Sequence, residues 1–167
     1  MNKIIKHIVF FIFHLLPSLR MNKTKTFLLR FIGYKIGNHA VIASSIKIMG
    51  NINVSIGDNT FIGHNTTIIG GKAELFIGKN CDISTNVSFV MGTHEIGINS
   101  DRRAGKGYSK SIFVGDGTWI GYGVVVLPGV KIGEKSIIGA GSVVVHDIPA
   151  NTIAVGNPCK AIKELIE

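Results

Sequence analysis

VGDGTWIGYGVVVLPGVKIGEKSIIGAGSVV, residues 114–144, carries an aliphatic side chain at every sixth position: Val114, Ile120, Val126, Ile132, Ile138 and Val144. A period of six matches neither the 3.6 of a helix nor the alternation of a plain strand. It is the period of a solenoid in which each hexapeptide makes one short strand and a corner, so the inward side chain recurs once per strand. Small residues follow most of the marked positions, where the backbone must turn or approach another turn closely.

The same spacing extends upstream through Ile36, Ile42 and Ile48, then Ile56, Ile62 and Ile68, then Ile77, Ile83 and Phe89. Ile48 to Ile56 is eight residues, Ile68 to Ile77 is nine and Phe89 to Val114 is 25. Each break follows three hexapeptides, so the unit is a three-sided coil of 18 residues and the breaks fall at one corner, stacked above one another. The reading is an all-β fold, a parallel β-helix of about five three-sided coils over residues 36–158. With strands about 4.8 Å apart the column is roughly 24 Å tall. The third break adds 19 residues (25 minus 6) and forms an excursion at about 93–111, because the core pattern resumes after it.

A chain of 167 residues, 46% hydrophobic and 17% charged, is long enough to bury one continuous core. Cys81 and Cys159 form no CxxC and no disulfide framework, which points to reduced, buried thiols in a cytoplasmic protein. The net charge of +8 lies entirely in the first third. Eight basic residues precede Asp58 and no acidic residue does, whereas the ten basic and ten acidic residues left over cancel. Within that third, Ile8–Leu16 is apolar and is stopped by Pro17. No A-x-A cleavage site follows it, and nine residues are too few to span a bilayer. Residues 1–35 therefore read as a basic, apolar helical segment, with helices near 3–16 and 22–32. Three roles stay open for it: capping the first coil's open strand edge, resting on the anionic inner face of a membrane, or serving as a secretory signal. Basic residues interleaved with bulky aliphatics, without a stacking motif, argue against nucleic acid as a partner.

Residues 114–162, together with MGTHEI at Met91–Ile96, resemble the hexapeptide-repeat acyltransferases. They are particularly similar to the sugar O-acetyltransferases of galactosides, maltose, capsule and colanic acid. The resemblance implies a left-handed β-helix, a homotrimer with sites between neighbouring subunits, acetyl-CoA as donor and a saccharide acceptor. It also implies that Asn157-Pro158 ends the solenoid and a short C-terminal helix follows at 159–167.

Chemistry is expected where the repeat fails. His94 opens the excursion, and the family places its catalytic histidine there after small residues, as in Gly92-Thr93-His94. Acetyl transfer to a hydroxyl needs a base, and the histidine reference pKa of about 6.5 suits it. Glu95 follows, where capsule-type relatives often carry an acidic residue; it either orients the imidazole, binds the acceptor or faces solvent. His64, after Ile62-Gly63, is a second candidate near the acceptor. Arg102 and Arg103, with Lys106 and Lys110, crowd an excursion whose glycines Gly97, Gly105 and Gly107 suggest mobility, and they suit a sugar bearing phosphate or carboxylate.

For the donor, the unbroken coils offer small residues against which a pantetheine arm can lie: Gly121, Gly139, Ala140, Gly141 and Ser142. The resemblance places Trp119 beside that arm and Lys160 and Lys163 near the phosphates. No metal is expected, because no two histidines stand five apart as in the zinc-binding hexapeptide proteins. Cys81 lies in a repeat corner with no histidine partner in view, which makes it a poor nucleophile. Acetyl-CoA-dependent O-acetylation of a saccharide hydroxyl, in capsule, exopolysaccharide or O-antigen synthesis, is the function these residues suggest. The alternatives are N-acetylation of an amino sugar or other small acceptor, and a non-catalytic hexapeptide scaffold.

Overall fold

The computed structural model describes residues 3–165. Short parallel strands build three faces. The first stacks Ile36 on Ile56, then Ile77, Val114 and Ile132. The second stacks Ile42, Ile62, Ile83, Ile120, Ile138 and Ala154. The third stacks Ile48, Ile68, Phe89, Val126 and Val144. Five full coils and part of a sixth result. Almost every marked residue is buried, and Ile48 packs on the core from a half-buried position. Parallel in-register stacking follows from the repeat: each backbone bonds the coil above and below while the inward aliphatics fill the column.

Corners select their residues by backbone conformation. Along one edge Asn59, Asn80, Gly117, Lys135 and Asn151 all have positive φ, with His39 below them. Asn and Gly enter that region at least cost, and Asn59 donates from its side chain to Asn80 at 3.2 Å. Buried hydroxyls seal the same corner: Thr60 donates to the Gly78 carbonyl at 2.7 Å and Ser136 to that of Pro149 at 2.7 Å.

The three breaks do fall at one corner, between the third face and the first. The two short ones are continuous bent strands, Lys47–Ile56 and Thr67–Ile77, paired to each other round the bend. Their crossing permits no side chain: a Cβ on Gly50 (φ +107°) would lie 1.7 Å from the Gly70 carbonyl oxygen. The long break leaves as a hairpin, Gly92–Ile96 against Ala104–Ser109, and Ile77 pairs directly with Val114 beneath it. The expected mobile loop is thus a two-stranded structure. Its tip is tied by Arg103, which donates to the Ile98 carbonyl at 3.1 Å, and by Ser100, which donates to that of Arg102 at 2.5 Å.

Both ends of the column are covered. At the start, helix α1 (Lys3–Leu15) and helix α2 (Asn22–Phe31) bury Val9, Phe13, Leu29 and Ile32 against the first coil. Their side chains also satisfy its open carbonyls. Lys25, fully buried, donates to Ser18 O and Ile42 O, and Arg30 donates to Ile36 O at 2.8 Å and Gly37 O at 2.9 Å.

At the other end the helix expected over 159–167, whose last two positions lie outside the described residues, does not form over 159–165. Lys160–Glu164 is a strand, antiparallel to Thr152–Val155. So short a segment has little helical stability alone, and its residues are exposed, with no buried face for a helix to use. The last coil instead offers a row of unpaired N–H and C=O groups that a strand satisfies directly.

Candidate functional site

His94 lies on the outgoing strand of the excursion hairpin, opposite Gly107. Glycine leaves the ring room there: a Cβ on Gly107 would already touch the imidazole, 3.4 Å from His94 Nε2. The imidazole therefore rests across bare backbone. It is exposed, and no side chain among the described residues reaches it within hydrogen-bonding distance.

Two hollows meet at this ring. The larger, about 810 Å³, lies between hairpin and corner and is lined by Met49, Ile69, Gly70, Thr93, Tyr108 and Lys72 among others. The smaller, about 410 Å³, lies toward the hairpin tip beside Ser100, Asp101 and Arg102. A side chain reached from two sides leaves room for one molecule in each hollow.

Of the other candidates near the excursion, Arg102 shares the smaller hollow with His94. Arg103 is turned to its own loop carbonyls. Glu95 is exposed, lines neither hollow and makes no contact with the imidazole. His64 lies elsewhere, beneath the turn between α1 and α2, with Nδ1 3.1 Å from Ser18 Oγ and 3.4 Å from Ser45 Oγ. One chain does not bring it to His94.

The residues expected to line the donor lie on the second face, on its following corner and on the last strand. Trp119 is 55% exposed, between Asp82 and Ile137 of the adjacent coils. Gly121 and Gly139 are required by stacking, because a Cβ on either would approach the next coil to 2.7 and 2.6 Å. Their smallness is explained without a ligand. Ala140 is exposed beside them. Ser142 differs from expectation: it is fully buried, its hydroxyl donates to Gly139 O at 2.6 Å and accepts from Gly156 N at 3.0 Å, and no side-chain atom is left for a ligand. Lys160 and Lys163 are exposed on a strand, so they stand about 10 Å apart along the chain and not on neighbouring rungs of a helix face.

Three residues escaped the sequence reading. Lys72 and Tyr108 line the larger hollow, and stacking the insertions by residue number would have placed Lys72 under the hairpin. Tyr122, 56% exposed, accepts a hydrogen bond from Asn86 Nδ2 at 2.7 Å and puts a second aromatic beside Gly121; its signal was an aromatic in a corner of small residues.

Burial raises both thiols above the ordinary range. At Cys81 desolvation outweighs the hydrogen bonds that favour the thiolate, and at Cys159 desolvation outweighs the Ser142 contact. Neither suits nucleophilic catalysis. Among the described residues no cluster of three or more His, Cys, Asp and Glu side chains could hold a metal ion.

A family model for the bacterial transferase hexapeptide (six repeats) matches residues 111–146, and one for the hexapeptide repeat of succinyl-transferase matches 53–88. A crystal structure of a maltose O-acetyltransferase from Clostridium difficile 630 superposes with a TM-score of 0.77 at 30% identity, over 99% of this chain and 90% of that one. The chain belongs to the hexapeptide-repeat acyltransferase family. Another solved member, a galactoside acetyltransferase in complex with coenzyme A, superposes with a TM-score of 0.71 at 28% identity, over 99% of this chain and 84% of that one. The galactoside O-acetyltransferase of Escherichia coli K12 is 38% identical over 130 residues, 78% of this chain and 63% of that protein. The matched part spans 54% to 63% of the length of the first curated relatives. Set against these hexapeptide-repeat acyltransferases, the chain keeps the column and carries its exposed histidine on the excursion.

Proposed function

We propose that the chain is an acetyl-CoA-dependent O-acetyltransferase, acting on a saccharide hydroxyl with His94 as general base and working as a homotrimer. One observation carries this reading: His94 leaves the corner between the third and first faces, while Trp119 stands on the second, the side of the prism opposite that corner. A centre that needs both groups is completed by a neighbouring copy, whose Trp119 wall faces this chain's hairpin. The relatives that bind coenzyme A and acetylate galactosides or maltose support the donor and the acceptor class.

In the reaction, neutral His94 accepts the acceptor's hydroxyl proton as the oxygen attacks the thioester carbonyl. Donor N–H groups near the cleft hold the oxyanion of the tetrahedral adduct. Its collapse expels the CoA thiolate, which takes the proton back from the imidazolium. The products are an acetyl ester and free CoA thiol, and the base is restored. Arg102, beside Asp101 in the smaller hollow, and Lys72 in the larger each offer a cation to an acceptor's phosphate or carboxylate, as in capsule, exopolysaccharide or O-antigen precursors. Glu95 acts at most on the acceptor, since no hydrogen bond or ion pair joins it to the imidazole. Trp119, Gly121, Gly139 and Ala140 form the wall for the donor arm, with Lys160 and Lys163 for its phosphates.

The test is CoA thiol release from acetyl-CoA across neutral and anionic sugars, beside His94→Ala. Acceptor-stimulated release that disappears in the variant supports the reading. Release that persists in the variant overturns His94 as base, and failure to bind acetyl-CoA returns the chain to the scaffold alternative.

A further inference from the structure

Helix α1 has two apolar faces and buries only one. Val9 and Phe13 pack inward, with Phe10 beside them. Ile4, Ile8, Phe11, Ile12 and Leu15 are 66, 53, 66, 43 and 70% exposed. At 3.6 residues per turn these five positions share about 100° of arc, one unbroken stripe along a helix about 20 Å long. Helix α2 repeats the pattern, with Phe27 and Phe31 63 and 59% exposed and their rings stacked at 6.5 Å. In the turn between the helices Leu19 and Met21 are also exposed. Isolated exposed apolar residues need no explanation, but a contiguous set this size marks a contact surface.

The charges say what covers it. Arg20, Lys23 and Lys35 are exposed on or next to these elements, and no acidic residue occurs before Asp58. A second copy docking through the same stripe would bring like charges together without a neutralising carboxylate from either helix. An anionic lipid surface meets apolar and basic groups at once. Among the described residues no helix is long and apolar enough to cross a membrane, so the pair would lie on the surface.

We propose that α1 and α2 form a docking surface for an anionic lipid bilayer, with Ile4, Ile8, Phe11, Ile12 and Leu15 entering the headgroup–acyl boundary and the basic residues meeting lipid phosphates. The same helices cap the solenoid through their other faces, so docking requires no refolding. It holds whether or not the chain transfers acetyl groups.

The test is co-sedimentation of the full chain with phosphatidylcholine vesicles, with and without phosphatidylglycerol, for the native protein, Ile8→Glu/Phe11→Glu and Arg20→Glu/Lys23→Glu. The native protein is expected to pellet with the anionic vesicles and to be released by salt. The apolar variant should bind at least about tenfold more weakly, since each buried Ile or Phe contributes most of a tenfold factor or more. The charge variant should lose its preference for anionic lipid. All of these side chains are exposed, so the melting temperature should stay within a few degrees, which separates lost docking from lost folding. Absence of vesicle binding, or binding that ignores lipid charge and both variants, overturns the proposal. If vesicles are ignored and Ile8→Glu/Phe11→Glu lowers the oligomeric state in sedimentation, the stripe belongs to a second copy and the proposal fails.

Discussion

The lower coils, residues 36–90, and the upper coils, 114–144, share one core ladder but treat their corners differently. Below, one corner is broken three times, and the breaks build the bend at Gly50 and Gly70, the hairpin and the two hollows at His94. Above, nothing interrupts the count, and the result is a plain wall with two exposed aromatics, Trp119 and Tyr122. Under the proposed function the broken part would supply groups that act and the unbroken part a surface to lie along, with a neighbouring copy needed to bring the two together.

The largest effect is expected from the broken half. His94→Ala should lower kcat by about 10²–10⁴-fold with an unchanged melting temperature, because the ring is exposed and touches no partner; steady-state kinetics and calorimetry check both. Gly50→Ala tests the bend, where the new methyl meets Gly70 O and the backbone has φ +107°. Strain and overpacking together should cost about 2–4 kcal/mol, a fall of roughly 5–15 °C in Tm for a chain of this size.

In the unbroken half, Trp119→Ala should raise the KM for acetyl-CoA about tenfold, the worth of one partly covered aromatic, and leave stability nearly alone. An equal fall in kcat without a KM change would break the division between acting corner and binding wall. Arg102→Gln should raise KM several-fold for an anionic sugar and not for a neutral one, which acceptor competition would read directly. The smallest effect concerns the thiols. With folded pKa values raised, Cys81 and Cys159 should react slowly with a disulfide reagent near pH 8 and quickly once unfolded. Their contribution to stability is complete below the ordinary thiol pKa of about 8.5 and fades as pH climbs toward the folded value.

The column was readable from spacing because its core position recurs every six residues and its neighbours are other copies of the same position. The corner of the breaks followed from counting in threes. The place of His94 on the excursion was readable for a related reason, since it stands where the count stops. The C-terminal strand was not, since Lys160–Glu164 has no strong pattern of its own and takes its form from the open edge it meets. Ser142 looked like a lining residue because small residues line grooves, but the same smallness lets a hydroxyl turn inward and tie the corner. Tyr108 and Lys72 depend on how far two insertions lean together, which spacing does not encode.

Ile77 bonds straight to Val114 one coil on, as though the excursion between Val90 and Ile112 were absent. The hairpin is therefore a cassette plugged into a closed frame: its two ends emerge from adjacent rungs, and its removal would leave the ladder intact. If the hairpin sets the acceptor, as proposed, a protein built this way would exchange what it recognises without renegotiating how it stands, and a transplanted hairpin from another member is the natural unit for redirecting it.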